Sequence, residues 1–404
     1  ADAGLQPPTD AGVEPTSTFA VLPLEREGYV VRTAEVSLGG STRDTQGGLA
    51  VFEDVAAGRR VVRATAPGFA PWAASLDVPA GIRAGAAALF ERQRPAVPFD
   101  PSKALWLDFG QVRIQVPADA VVTGATPALV QARLTFIDLT RDAAFAPGFL
   151  QAENAGAIVP LEPLAVAHLE LRTDAGAAPL KAGTTLQVQF EVPASSGSDG
   201  QTIPVWRFDA ADGLWKKGSE GALKTEAGRK LWSGTVAETG WFAAGAIASQ
   251  LTCVEVSARH DGQPVKGAFV LAEGADWAGV AAAVTGEDGK ARLQLRGGRH
   301  ARVNVVAEGL FAGLAQDFEV QAPSPDCQPV AVTLSPPACL RGKVEHDGAG
   351  VGGADVAGFY PGSAPLAAVS SSSGEWCAPV PRGAPVELIA RKVQPGGRVD
   401  TAWI

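Results

Sequence analysis

The sequence predicts an all-β protein in which tandem β-sandwich modules surround a larger central β domain. Three observations carry that prediction. Short valine-rich runs of alternating polarity recur along the 404 residues, separated by turns drawn from 47 glycines and 30 prolines, as expected of half-buried strands joined by tight turns. Amphipathic blocks of helix formers are scarce. One pattern also occurs twice without a gap: the offset that places Cys253 on Cys339 also places His260 on His346, Asp261 on Asp347, Gly262 on Gly348, Val265 on Val351, Gly267 on Gly353, Ala268 on Ala354 and Val270 on Val356. Such self-similarity marks a copied structural module.

In chain order, residues 1–17 (ADAGLQPPTDAGVEPTS) are poor in large apolar side chains and cannot bury enough surface to fold. They read either as a tether or as a disordered secreted N-terminus. The chain contains no methionine, even at position 1, so loss of a processed N-terminal segment is expected. No run reaches the roughly 18 continuous apolar residues of a membrane helix.

Residues 18–95 form the first module, running from TFAVLPLEREGYVVRTAEVSL through a turn near Asp44 to Gly48 into GLAVFEDVAAGRRVVRATAPGFAPWAASLDV. Gly28, Val31, Ala34 and Val36 hold the Gly-x-x-Val-x-x-Ala-x-Val positions, with Glu27 in place of the aspartate. Residues 96–249 differ in kind and supply a long series of strands. Residues 250–336 are a second module with TGEDGKARLQL as its central hairpin, and residues 337–404 are a further copy whose second half diverges at SSSSGEWCAPVPRG.

The RHDGQPVKGAFV stretch sits between apolar alternations, Val254, Val256 and Ala258 before it and Ala268, Val270 and Ala272 after it. Glycine supplies the positive φ of a tight turn, and aspartate bonds its own backbone two residues on. Because the first module keeps the scaffold without His-Asp, the trio is expected to be a hairpin turn rather than a catalytic dyad.

The four cysteines show no Cys-x-x-Cys, and His168, His260, His300 and His346 are scattered, so no metal site is expected. Of the three possible connectivities, only Cys253–Cys327 with Cys339–Cys377 keeps each bridge within its own repeat. Disulfides imply an oxidising envelope or extracellular compartment. The net charge of -9 argues against nucleic acid as a partner.

Trp206, Trp215, Trp232 and Trp241 lie close in sequence. Trp206 and Trp215, with Trp72 beside a turn in APGFAPWAA, are the candidate stacking platforms for a sugar ring; the competing expectation is that tryptophans fill the sandwich core. Asp209 with Asp212, and Glu287 with Asp288, offer oxygen to calcium but lack the alternating ligand pattern, which favours solvated turns. No Gly-x-Ser-x-Gly, His-Glu-x-x-His or phosphate loop occurs. No enzyme, cofactor or catalytic residue is therefore expected.

The strand order of residues 18–95, 250–336 and 337–404 resembles the carboxypeptidase regulatory-like family. The motifs are Gly-x-x-Val-x-x-Ala-x-Val, a turn from Thr285 to Gly289, and a strand ending in Pro67-Gly68 or Glu308-Gly309. The resemblance implies a transthyretin- or immunoglobulin-like β-sandwich serving as a spacer or recognition module. Residues 96–249 resemble the β domain of cartilage intermediate layer proteins and ZU5-type regions through Val116 to Val121, Pro204, Trp206, Phe208 and Asp209 with Gly213 and Trp215, and Val236 to Gly245. Some ZU5-type domains cleave themselves at a His-Phe/Ser pair, but Glu238 stands where that histidine would fall, which speaks against self-cleavage. The Asp-Ala-Gly rhythm of residues 1–17 resembles the tether of myxobacterial surface lipoproteins. The expected protein is a non-enzymatic adhesion or scaffold element, secreted or held on the outer-membrane surface of the envelope by a lipid anchor, with a protein or polysaccharide as partner. The alternatives are a glycan binder using exposed tryptophans and a hydrolase whose site assembles only in the fold.

Overall fold

The computed structural model describes residues 16–26, 29–45, 48–123, 129–140, 142–307, 310–312, 316–336, 338–359, 366–380, 387–393 and 399–403. Residues 1–15 of the expected tether, and the Glu308-Gly309 end of the second module's motif, lie outside them. The fold is all-β, with two short 3₁₀ turns at Ala143–Phe145 and Pro147–Leu150.

In the first module a three-stranded sheet, ordered Ala50–Val55, Ser17–Glu25, Arg83–Phe90, faces a four-stranded one, ordered Ser41–Asp44, Glu35–Leu38, Gly58–Thr65, Trp72–Val78. Side chains alternate across a strand, so Phe19 and Val21 meet Val36, Val62 and Leu76 in the interior. The first and last strands run parallel, with Thr18 opposite Arg83 and Glu25 opposite Phe90.

The second module repeats this order. Lys290–Arg296, Leu251–His260 and Gln328–Ser335 make one face. Val280–Val284, Phe269–Gly274, Arg299–Ala307 and Gln316–Val320 make the other. Its first and last strands are again parallel, Val254 lying opposite Gln328. The C-terminal copy pairs Ala338–Lys343 with Glu375–Val380 and orders Leu366–Val369, Asp355–Phe359, Glu387–Val393 and Val399–Trp403 in a second sheet. Among the described residues it has no parallel closing strand, and alternate residues of Ala338–Lys343 are only half-buried where those of Leu251–His260 are mostly buried.

The central region is one twelve-stranded sheet in which the long strand Ala157–Thr173 pairs with Val130–Ile137 on one side and Gly240–Ile247 on the other. Its own interior holds Ile114, Leu134, Leu169, Phe190 and Trp232.

These regions are not separate beads. A single apolar core runs from Phe19 and Trp72 through Phe149, Trp206 and Trp215 to Leu271 and Val280. Its hub is the turn Pro147–Leu150, where Gly148, Phe149 and Leu150 all take positive φ (66, 47 and 53°). Each such non-glycine residue costs on the order of 1–3 kcal/mol. Complete burial of Phe149 and Leu150, worth roughly 1.5–3 kcal/mol apiece, offsets that strain. The Phe149 ring meets Trp72 edge-on with centroids 5.6 Å apart and lies 6.0 Å from Phe269, so one side chain touches three regions.

The C-terminal module folds back onto the first. Arg391 pairs with the buried carboxylate of Glu25, which Arg92 also holds, and its guanidinium lies 3.6 Å above the Tyr29 ring. Arg32 and Asp355 form a second ion pair at 2.5 Å.

Candidate functional site: junctions and bridges

The structure corrects the expectation that Trp72, Trp206 and Trp215 could stack on a ligand. Their exposures are 2, 1 and 0%. The Trp206 and Trp215 indoles donate inward, to the carbonyls of Gly245 (3.0 Å) and Pro147 (2.9 Å). Trp72 sits beside a turn, but that turn faces the central region: Trp241 donates across the junction to the Pro71 carbonyl at 2.6 Å. Large aromatic faces are spent on joining regions rather than displayed to solvent.

The His-Asp-Gly trio is a hairpin turn in both copies. His260 pairs with Gln263 and His346 with Ala349, leaving Asp261-Gly262 (φ 48 and 77°) and Asp347-Gly348 (φ 49 and 77°) as two-residue loops. Positive φ at both central residues defines the type I′ turn that matches strand twist. The histidines differ only in surroundings: His260 Nδ1 lies 3.0 Å from the Leu334 carbonyl, whereas His346 is exposed.

The acidic candidates are turn residues as well. Asp209 accepts from the Ala211 amide (2.8 Å) and Asp288 from the Lys290 amide (3.0 Å), while Asp212 pairs with Lys216 and Glu287 with Lys266. The FDAADG turn docks on the first module. Arg63 donates to the carbonyls of Ala210 (2.6 Å) and Ala211 (2.8 Å), and Gly213 approaches so closely that a Cβ there would lie 2.7 Å from the Ser75 amide nitrogen. Among the described residues no three His, Cys, Asp or Glu side chains converge as a metal requires. Glu238 pairs with Arg207 at 2.8 Å.

His168 and Glu273 titrate away from their ordinary values. Burial in the central region pushes His168 down to about 4, partly offset by Glu170; its ring lies 5.1 Å from that of Trp241. Burial raises Glu273, in the second module, to about 7 despite Arg302, with Asp142 of the central region adding repulsion.

The cysteines are joined as Cys253–Cys327 and Cys339–Cys377, with Cα atoms 4.5 and 5.5 Å apart. The first bridge stands one residue before the parallel pair Val254–Gln328. In the first module the matching place, one residue before the inward Phe19 and its partner Ala84, is held by Thr18 and Arg83, and Ser17 with Ile82 stands one residue further out. There the Ile82 amide donates to Ser17 Oγ at 3.3 Å, and Ser17 Oγ donates to the Pro79 carbonyl at 2.5 Å. One module entrance is secured covalently and the other by hydrogen bonds beside the matching pair.

A cleft of about 380 Å³ opens where the first, central and second regions meet, lined by Arg59, Asp77, Gln151, Lys290 and Arg292 among others. Arg59 faces Asp77, while Lys290 and Arg292 both pair with Glu255, so these charges are matched by neighbours from their own modules.

No protein-family model matches the chain. Among solved structures it is similar to a streptococcal ancillary pilin, at 12% identity and TM-score 0.22 over 52% of this chain and 89% of that one. The Bacillus anthracis TIE protein gives 10% and 0.20 over 80% of this chain and 51% of that one. The major pilin subunit BcpA of Bacillus cereus gives 9% and 0.17 over 96% and 94%. At scores this low no property of those proteins passes to this chain.

Sequence reasoning missed the Glu25–Arg391 pair, the docking of Arg63 and the Phe149 hub. Each joins residues far apart in the chain, and no local pattern marks them.

Proposed function

We propose that this chain is a non-enzymatic scaffold or adhesion element of a bacterial surface, secreted or envelope-bound. In this reading carboxypeptidase regulatory-like modules flank a ZU5-like central domain, and residues 1–15 serve as a tether for a lipid anchor, the expected tether ending before Ser17 because that residue belongs to the first strand. The observation that carries the reading is the apolar core shared by three regions, because it makes one stiff body from units that would otherwise swing on linkers. The two disulfides fit an oxidising compartment. Burial of Trp72, Trp206 and Trp215 removes the aromatic basis of a glycan-binding reading and leaves a surface protein or polysaccharide to be recognised by other faces.

Immobilised full-length protein tested against extracellular proteins and polysaccharides, alongside ester and peptide hydrolysis panels, decides the matter. Saturable binding without turnover is the expected result. Turnover that scales with protein concentration and survives repurification overturns the reading.

A further inference from the structure

We propose that the two disulfides act in series as a tension bypass that makes most of the C-terminal half inextensible. Its biological use rests on the scaffold reading above; its mechanics do not. A load travelling along the chain reaches Cys253 at the entrance of the second module and crosses the bridge to Cys327. It then follows Gln328–Ser335, a strand already extended, to Cys339, and crosses the second bridge to Cys377. The segments between the bridged cysteines, with sequence separations of 74 and 38, are bypassed; of the first segment's hydrogen bonds, those to the extended strand Gln328–Ser335 adjoin the load path. Beyond Cys377 the chain is again on the load path.

The first module supplies the internal contrast. Its terminal strands are parallel, from Thr18–Arg83 to Glu25–Phe90, so tension between its ends shears the inter-strand hydrogen bonds together. Nothing covalent stands behind them, because Thr18 and Arg83 occupy the places of the cysteines. Once the shear fails, the whole module is released.

Single-molecule pulling of the full chain by handles at its two ends tests this. Under oxidising conditions the segments inside the bridges should contribute no length. With reductant, two further increments of about 250 and about 130 Å should appear, at roughly 3.5 Å per freed residue. Equal total release with and without reductant, with bridge formation confirmed by thiol labelling, overturns the proposal. Binding by the same protein is scored separately, so failure of the scaffold reading leaves the pulling result standing. Thr18→Cys with Arg83→Cys, a directly paired couple at the places of the two cysteines, is the complementary gain. Bridged molecules of that variant should lose an increment of about 230 Å from the first module. Release of that increment from bridged molecules, or failure to bridge under oxidant, overturns the equivalence of the two closures.

Discussion

The first and second modules share one sandwich order and one parallel pairing of first and last strands, yet they close it differently. The second uses Cys253–Cys327. The first relies on Ser17 hydrogen bonds at the entrance and on Glu25 at the exit, where Arg92 and Arg391 converge on its carboxylate. The difference teaches that the strand pairing is common to both closures, whereas the means of securing it varies. A bridge secures a module alone; the Glu25 cluster secures one module by recruiting another.

The largest expected effect breaks this comparison at the covalent end. Removing each bridge, by reductant or by Cys253→Ser and Cys339→Ser, should cost about 4 kcal/mol in the chain-entropy model, an upper estimate. Calorimetry should show the transitions of residues 250–404 falling first. Because Leu271 and Val280 belong to the shared core, the first module should follow by a smaller amount. A first module that melts as early as the second would sink the distinction between the closures.

A pH scan adds the central region to the contrast. His168 ordinarily titrates near 6.5 and is held to about 4 when folded. Between those values the unfolded chain takes up a proton that the folded chain refuses, so stability falls as pH drops through that window, by about 3 kcal/mol in all. Above pH 6.5 both forms are neutral and the effect vanishes. Glu273 has the opposite sign: its raised value of about 7 means that the folded chain holds a proton the unfolded one releases, so its contribution improves as pH falls from 7 toward 4.5. His168→Phe should flatten the acid loss of the central transition and leave the bridged module unchanged. An unaltered pH profile in that variant would contradict the buried neutral imidazole.

Arg391→Ala attacks the exit end. Glu25 would keep Arg92 but lose its second cation while remaining inside, for an expected loss of about 2–3 kcal/mol. Restoration by Glu25→Gln in the same chain, read as a double-mutant cycle, would show that the charge, rather than lost packing on Tyr29, sets the cost.

How much of this was legible in the sequence follows from the range of each interaction. Alternating valines and Asp-Gly dipeptides act over a few residues, so the strands and the hairpin turns could be read directly. The disulfide pairing was reachable because a repeat restricts three connectivities to one. Trp72 was misjudged because exposure depends on what lies across a junction, here Phe149 and the central region, and turn proximity says nothing about that. The left-handed run Gly148 to Leu150 was invisible for a similar reason: its strain is held by distant partners.

The smallest effects sharpen the comparison inside the copied turn. Gly262→Val forces a β-branched side chain into φ 77° and should cost on the order of 1–3 kcal/mol; Gly348→Val should cost the same, since the φ values match. The histidines beside them should separate. His260→Ala removes the contact with the Leu334 carbonyl on the closing strand, worth about 1 kcal/mol, while the C-terminal copy has no described closing strand for His346 to reach. His346→Ala should therefore leave the melting temperature and any binding unchanged. Thermal melts of the four variants decide it. An effect of His346→Ala as large as that of His260→Ala would mean that the two copies close alike, and a loss of binding with stability intact would return the trio from geometry to chemistry.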